Sequence, residues 1–71
     1  MNKIKINVFV DKESKEYDII MNKNSNVKDL LNEIKINPVT VIVSRENELI
    51  LEEEILNDND QIKVLSVISG G

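Results

Sequence analysis

Side chains able to carry chemistry are scarce in this sequence of 71 residues. It contains no histidine and no cysteine, so it lacks the usual general base near neutral pH, the commonest zinc ligand and a thiolate nucleophile. We therefore predict no catalytic residue, no metal site and no bound cofactor. The feature that stands out is Ser69-Gly70-Gly71, where an apolar run gives way to bare backbone. Most chain ends are frayed, so the other segments have to decide what this one means.

Charge and length narrow the classes of partner. Thirteen acidic against nine basic residues give a net charge of -4. This charge disfavours nucleic acid and anionic membranes as partners and suits a basic protein surface. The start of the chain alternates polar and apolar residues, which predicts neither a signal peptide nor a membrane span. We expect a single cytoplasmic domain that is a monomer when free.

The N-terminal third predicts a β-hairpin. Residues 3–10 alternate with a period of two, which is typical of a half-buried strand. Its apolar face comprises Ile4, Ile6, Val8 and Val10. After a polar break at residues 11–15, residues 16–21 alternate again, with Tyr17, Ile19 and Met21 on the apolar face. Two such strands separated by a short polar segment favour an antiparallel pair.

One helix is predicted to follow the hairpin. Asn26 is a good N-cap, and Asp29 favours the positive end of the helix dipole, so the helix should begin at Val27. Spacing of i, i+3, i+4 and i+7 gives one apolar stripe, made of Val27, Leu30, Leu31 and Ile34. Pro38 lacks a backbone donor and biases Asn37 away from helical angles. We therefore expect Asn37-Pro38 to end the helix and the chain to run extended from there.

The next segment predicts a second hairpin. Residues 39–44 are rich in β-branched side chains, which favour a strand with Val39, Val41 and Val43 on its inner face. Asn47 tolerates positive φ and marks a tight turn. A short strand at residues 49–51 should follow this turn.

The last strand is predicted to start at Ile62 and to run to Ile68. The acidic residues before it, Glu52–Glu54 and Asp58–Asp60, predict a solvated loop and a turn. A calcium site is the alternative for this stretch. It lacks the alternating acids, the glycine at the sixth position and the glutamate at the twelfth that an EF-hand requires.

The order of these elements indicates an α+β fold, a mixed four- to five-stranded sheet with one helix packed across one face. The first and last strands should lie side by side and parallel in the middle of the sheet. Residues 1–68 would then form one domain. Residues 69–71 would form a flexible tail that leaves from a rigid central strand.

The sheet face opposite the helix is predicted to carry apolar residues. Ile42 of the third strand and Leu65 and Val67 of the last strand would lie in water there. Singly exposed apolar residues are common, but a group of them usually marks a contact surface. We predict that these three residues bind a partner, together with Ile68 and Ser69 beside the tail.

Four segments, taken in order, carry a resemblance to a known family. They are Val27-Lys28-Asp29-Leu30-Leu31, Asn37-Pro38-Val39-Thr40-Val41, Asp58-Asn59-Asp60-Gln61-Ile62 and Val67-Ile68-Ser69-Gly70-Gly71. Over nearly its whole length the chain resembles the ubiquitin-like β-grasp sulfur carriers of the ThiS and MoaD families and their archaeal small modifier relatives. The resemblance lies in the order of the segments and the final Gly-Gly, and it implies a β-grasp fold.

Two positions depart from the family pattern. Glu46-Asn47 stands where the family usually has Asn-Gly, and Asp58-Asn59-Asp60 stands where it usually has Asp-Gly-Asp. In both cases asparagine replaces glycine. Because asparagine tolerates the left-handed region, the expected fold is unaffected.

The resemblance also implies the chemistry of the tail. The reactive group would be the terminal carboxylate of Gly71, with Gly70 beside it. An E1-like adenylating enzyme would use ATP to form an acyl-adenylate there, and a sulfur donor or sulfurtransferase would convert it to a thiocarboxylate. A downstream synthase would take the sulfur, in biosynthesis of the thiamine, molybdopterin or tRNA-thiolation type.

Two alternatives stay open at this point. A ubiquitin-like protein modifier would undergo the same activation but would end in a bond between Gly71 and target-protein lysines. A β-grasp binding module would carry an incidental Gly-Gly tail, and its function would survive removal of that tail.

Overall fold

A five-stranded mixed sheet with a helix on one face is the architecture of the computed structural model, which describes residues 2–67. The elements in chain order are β1 (Lys3–Val10), β2 (Lys15–Asn22), α1 (Val27–Glu33), β3 (Val41–Arg45), β4 (Glu48–Ile50) and β5 (Gln61–Ser66). Their order across the sheet is β2-β1-β5-β3-β4. This arrangement confirms the predicted α+β class and the helix across one face. Within residues 2–67, no helix is both long enough and apolar enough to cross a bilayer.

The centre of the sheet is a parallel pair, as the sequence predicts. β1 pairs with β5 from Asn7–Gln61 to Val10–Val64, and β5 pairs on its other side with β3 in antiparallel register. β5 is therefore held by backbone hydrogen bonds on both edges. The predicted domain boundary after Ile68 lies outside the described residues.

The core lies between α1 and the inner face of the sheet. Its most deeply buried side chains are Ile6, Val8, Val27, Leu30, Leu31, Leu56 and Val64. The apolar faces predicted for the first strand and for the helix are both present there. Ile34 and Val41 pack at the margin of the core and are only partly buried. Ile34 follows the last residue of α1, and Val41 is the first residue of β3.

The start of α1 is fixed by a reciprocal cap, which confirms the predicted first residue. The Asn26 side chain accepts a hydrogen bond from the Asp29 backbone N–H at 2.9 Å. In return, the Asp29 carboxylate accepts from the Asn26 backbone N–H at 3.1 Å. This capping box satisfies two backbone donors that the first helical turn leaves without partners.

The predicted end of the helix is wrong. α1 stops at Glu33, and Lys35 takes a left-handed conformation with φ of 61°. The Ile36 N–H donates to the Leu31 carbonyl at 2.8 Å, and the Lys35 N–H donates to the Asn32 carbonyl at 3.1 Å. These two bonds form the C-terminal motif in which glycine is usual. The helix thus ends before the proline can act on it.

Pro38 has a different role from the one expected. It opens a 3-10 helix, Pro38–Thr40, and the Asn37 side chain accepts from the Val39 N–H at 3.0 Å. β3 therefore starts only at Val41, and Val39 is 75% exposed instead of facing the core. Proline suits the first position of such a turn, because the missing N–H would have no partner there.

The turn between β3 and β4 is the tight one predicted, and the strand after it starts earlier. Glu46 and Asn47 both have positive φ, 53° and 68°, as a two-residue hairpin requires. β4 spans Glu48–Ile50 instead of residues 49–51.

Candidate functional site

The segment leading to the tail is firmly anchored up to its last described residue. In β5, Ile62 and Val64 are almost fully buried. Beyond the strand, the Val67 N–H still donates to the Thr40 carbonyl at 3.0 Å. The predicted site residues that follow lie outside the described residues, namely Ile68, Ser69, Gly70 and Gly71. The structure therefore shows the strand β5 that precedes the tail, up to Val67.

Of the three apolar residues predicted on the outer face, Ile42 and Leu65 lie on neighbouring strands and Val67 lies just after the end of β5. Ile42 and Leu65 are directly opposite each other in the pairing of β3 with β5. Val67 lies two residues further along the chain and is 49% exposed, while Ile42 is 37% exposed and Leu65 is partly buried. We call Ile42, Leu65 and Val67 the outer patch. Its role in binding stays a prediction.

Sequence analysis missed the apolar residues of β4. Leu49 pairs with Ser44, and Ser44 pairs with Lys63, so Leu49 shares the face that carries the outer patch. Leu49 is 70% exposed, and Leu51, just after the strand, is 73% exposed. The period of two in a strand places Leu49 and Leu51 on the face opposite Ile50, which packs against the core. The sequence alone does not show which of these two faces is the outer one.

A polar row separates Leu49 from the first strand on this face. Phe9 pairs with Lys63 across the central strands, and Lys63 pairs with Ser44. Ser44 is only 8% exposed, because its short side chain lies between longer neighbours. The row lines an open surface depression that also includes Asn7 and Glu16. The outer face is thus apolar toward β4 and the end of β5, and mainly polar toward β1 and β2, where Phe9 and Ile20 are the apolar exceptions among the described residues.

The acidic stretch before β5 is organised by one arginine. Arg45 donates to the Asp60 carboxylate at 3.0 Å, to the Glu54 carboxylate at 3.2 Å and to the Ile55 carbonyl at 3.2 Å. Burial lowers the pKa of Arg45, but the hydrogen bonds and charges of Asp60 and Glu54 outweigh it and raise this pKa above its ordinary value. Arg45 thereby ties β3 to the loop and to the start of β5.

The other acidic residues of this stretch are either exposed to solvent or hydrogen-bonded within the fold. Glu52 and Glu53 are exposed, as expected for a loop. Asp58 accepts a hydrogen bond from the Lys5 backbone N–H at 2.8 Å. In the part of the chain that the structure describes, no group of three or more aspartate or glutamate side chains is placed to hold a metal ion.

Comparison with known proteins gives a family match over almost the whole chain. The model of the ThiS family matches residues 4–71. The sulfur carrier protein TtuB of Thermus thermophilus is 37% identical over 59 residues, which cover 83% of this chain and 88% of that protein. The match extends through the positions of Gly70 and Gly71.

Solved structures of low sequence identity share the fold. A de novo protein designed on the basis of ubiquitin has a TM-score of 0.78 at 12% identity, over 97% of this chain and 94% of that one. The ubiquitin of Caldiarchaeum subterraneum has a TM-score of 0.73 at 15% identity, over 97% of this chain and 99% of that one. These likenesses show a ubiquitin-like β-grasp fold, in agreement with the β2-β1-β5-β3-β4 sheet. The family match over residues 4–71 and the 37% identity to TtuB show that the chain belongs to the ThiS family.

Proposed function

We propose that the chain is a sulfur carrier, a protein cosubstrate whose Gly71 carboxylate is activated by an E1-like adenylating enzyme and converted to a thiocarboxylate. The observation that carries this proposal is the ThiS family match, which includes both glycines. The relative named as a sulfur carrier supports it with 37% identity.

The chemistry explains why a partner with ATP is needed. A free α-carboxyl group has a pKa of about 3.5 and is ionised at neutral pH, so a sulfur nucleophile does not attack it. Its oxygen can instead attack the α-phosphate of ATP, which releases pyrophosphate and leaves an acyl-adenylate. A persulfide then displaces AMP to give an acyl disulfide, and a thiol reduces this to the thiocarboxylate. One difficult substitution is thus divided into easier steps.

The glycines have a steric role in this proposal. The activating enzyme must enclose the end of the chain to keep water from the acyl-adenylate. Gly70 and Gly71 let the backbone pass through a narrow channel in an extended conformation, because they carry no side chain. The folded domain positions this segment from β5.

Docking is assigned to the outer patch, with Ile68 and Ser69 beside it. Ile42 and Leu65 form an adjacent cross-strand pair, and an exposed apolar group of this kind favours a contact surface. The partners in this proposal are the activating enzyme, a sulfur donor or sulfurtransferase, and a downstream synthase. The synthase belongs to biosynthesis of the thiamine, molybdopterin or tRNA-thiolation type.

Intact mass spectrometry of the chain isolated from its native cells tests the proposal. The sulfur-carrier function predicts a fraction in which one oxygen is replaced by sulfur. A variant without Gly71, expressed in the same cells, should lack this species and serves as the control. Remnants of residues 64–71, which cleavage after Lys63 would leave on lysines of other proteins, would instead favour the protein modifier if the sulfur-containing species is absent. An unmodified chain in both measurements would contradict both and leave the binding module.

A further inference from the structure

The edge of the sheet at β4 presents apolar and acidic side chains side by side. Leu49 and Leu51 are 70% and 73% exposed. Glu48, Glu52 and Glu53 flank them and are also exposed. We call these five residues the β4 strip.

Negative charge is concentrated in the segment that contains this strip. Residues 46–60 hold seven of the 13 acidic residues and none of the nine basic ones. Lys28, at the start of α1, lines the same shallow depression as Leu51, Glu52 and Glu53. It offsets the charge there only in part. Residues 46–60 are therefore the strongly acidic part of a chain whose other residues include six acidic and nine basic ones.

Three of these seven acidic residues form bonds within the fold, and the other four are available to bind a partner. Arg45 binds Glu54 and Asp60, and Asp58 accepts from the Lys5 backbone. The other four are Glu46, Glu48, Glu52 and Glu53. Within residues 2–67, the side chains of these four glutamates take part in no ion pair and no hydrogen bond. Their charges are free to meet an opposite charge on a partner.

Protection of the sheet edge explains the glutamates of the strip but not its leucines. Charged residues beside a short edge strand discourage pairing with another sheet. That role requires the glutamates but gives no reason for Leu49 and Leu51 to be more than two-thirds exposed. Exposed leucines add an apolar contact, which favours a binding surface. A symmetric dimer through the strip is disfavoured, because the two acidic strips would face and repel each other.

The strip adjoins the outer patch at Leu49, and Leu51, Glu52 and Glu53 extend from there to the start of α1. Leu49 lies on the same face as Ile42 and Leu65, and neighbouring strands are separated by about 4.8 Å. A stable interface covers about 800 Å² on each partner, whereas the three side chains of the outer patch are exposed only in part. One protein seated on the patch would therefore reach the strip.

We propose that the activating enzyme covers both surfaces and meets the β4 strip with basic side chains arranged around an apolar contact. This inference rests on the proposed function. It assigns to Leu49, Leu51, Glu52 and Glu53 a share in recognition, separate from the chemistry at Gly71.

ATP-pyrophosphate exchange catalysed by the cognate activating enzyme tests the apolar part of the inference. The double variant Leu49→Ser/Leu51→Ser should raise the KM for the carrier about tenfold or more, since it removes two apolar side chains that the partner would bury. Its kcat should stay within about twofold, because the residues do not touch the reacting atoms. The control is Ile20→Ser, which changes an exposed apolar residue at the opposite edge of the sheet. Its KM should equal that of the wild type.

The acidic part is tested by the dependence of KM on salt. Glu52→Lys/Glu53→Lys should raise KM at low ionic strength and weaken its increase with added salt, because attraction between exposed charges is screened. The control Asp11→Lys/Glu33→Lys makes the same change of charge at exposed positions outside the strip. Thermal unfolding of every variant checks that the fold is intact.

The outcomes separate this inference from the function on which it rests. Absence of exchange with the wild-type chain would overturn the proposed function. Normal exchange by the wild type, with unchanged KM in both strip variants, would overturn only the inference. The interface would then end at the outer patch, and the glutamates would serve to protect the edge.

Discussion

At the scale of single residues, the proposed chemistry depends on Gly71. Deleting it would leave the carboxylate of Gly70 more than about 3 Å from the position that the activating enzyme requires. A displacement of this size removes most of the rate of a positioned reaction. We predict that the deletion abolishes ATP-pyrophosphate exchange and that Gly71→Ala reduces it less.

Thermal unfolding provides the control for both variants. Gly71 lies beyond Val67, the last described residue, and among the described residues the core residue closest to it in the sequence is Val64. The unfolding temperature should therefore stay at the wild-type value. Exchange at the wild-type rate by the deletion variant would contradict the sulfur carrier and the protein modifier alike.

At the scale of elements, α1 ends at an unusual residue. Lys35 has φ of 61°, a conformation that costs a residue other than glycine about 1–2 kcal/mol. We predict that Lys35→Gly raises the free energy of unfolding by up to about 1 kcal/mol, measured by denaturant titration. The control is Lys28→Gly in the first turn of the helix, which should lower it by up to about 1 kcal/mol. Loss of stability in both variants would show that the terminal motif does not set the end of the helix.

The same helix contributes the centre of the core. Leu31 is 1% exposed, and its shortening would leave a cavity between α1 and the sheet. We predict that Leu31→Ala lowers the free energy of unfolding by about 2–5 kcal/mol, again by denaturant titration. The exposed neighbour Asn32→Ala should change it by less than about 0.5 kcal/mol. An equally small effect of Leu31→Ala would mean that the inner face of the helix is wrongly assigned.

At the scale of the whole molecule, the sheet supports a binding surface and a reactive end together. β5 lies between β1 and β3, so backbone hydrogen bonds on both edges hold the strand that precedes the tail. The same strand carries Leu65 of the outer patch. A partner that binds the patch is thereby placed beside the point from which the tail starts.

This arrangement predicts that binding and folding respond differently to changes in the outer patch. Ile42→Asp or Val67→Asp would place an unpaired charge in an apolar contact, which weakens the complex. Both side chains are at least one-third exposed in the free chain, so the fold should persist. We expect a raised KM in the exchange assay and unchanged circular dichroism. Wild-type exchange at low concentrations of these folded variants would exclude the patch as the docking surface.

Much of the fold was predictable because its determinants are local. The period-two pattern of β1 and the Asn26 cap of α1 depend on residues within a few positions of each other. The central parallel pair followed from the order of the elements. The Gly-Gly segment, likewise, was a feature of the sequence that required no structure to recognise.

The sequence by itself therefore determined the element types, the inner faces of β1 and α1, and the residues of the proposed chemistry. Tertiary structure alone decided where α1 ends, because Lys35 adopts positive φ when Ile36 packs against the core. It also decided the face of β4 and the partners of Arg45, since both depend on pairing between segments far apart in the chain. A local pattern records neighbours within one turn or one strand, whereas a surface such as the β4 strip is assembled across strands.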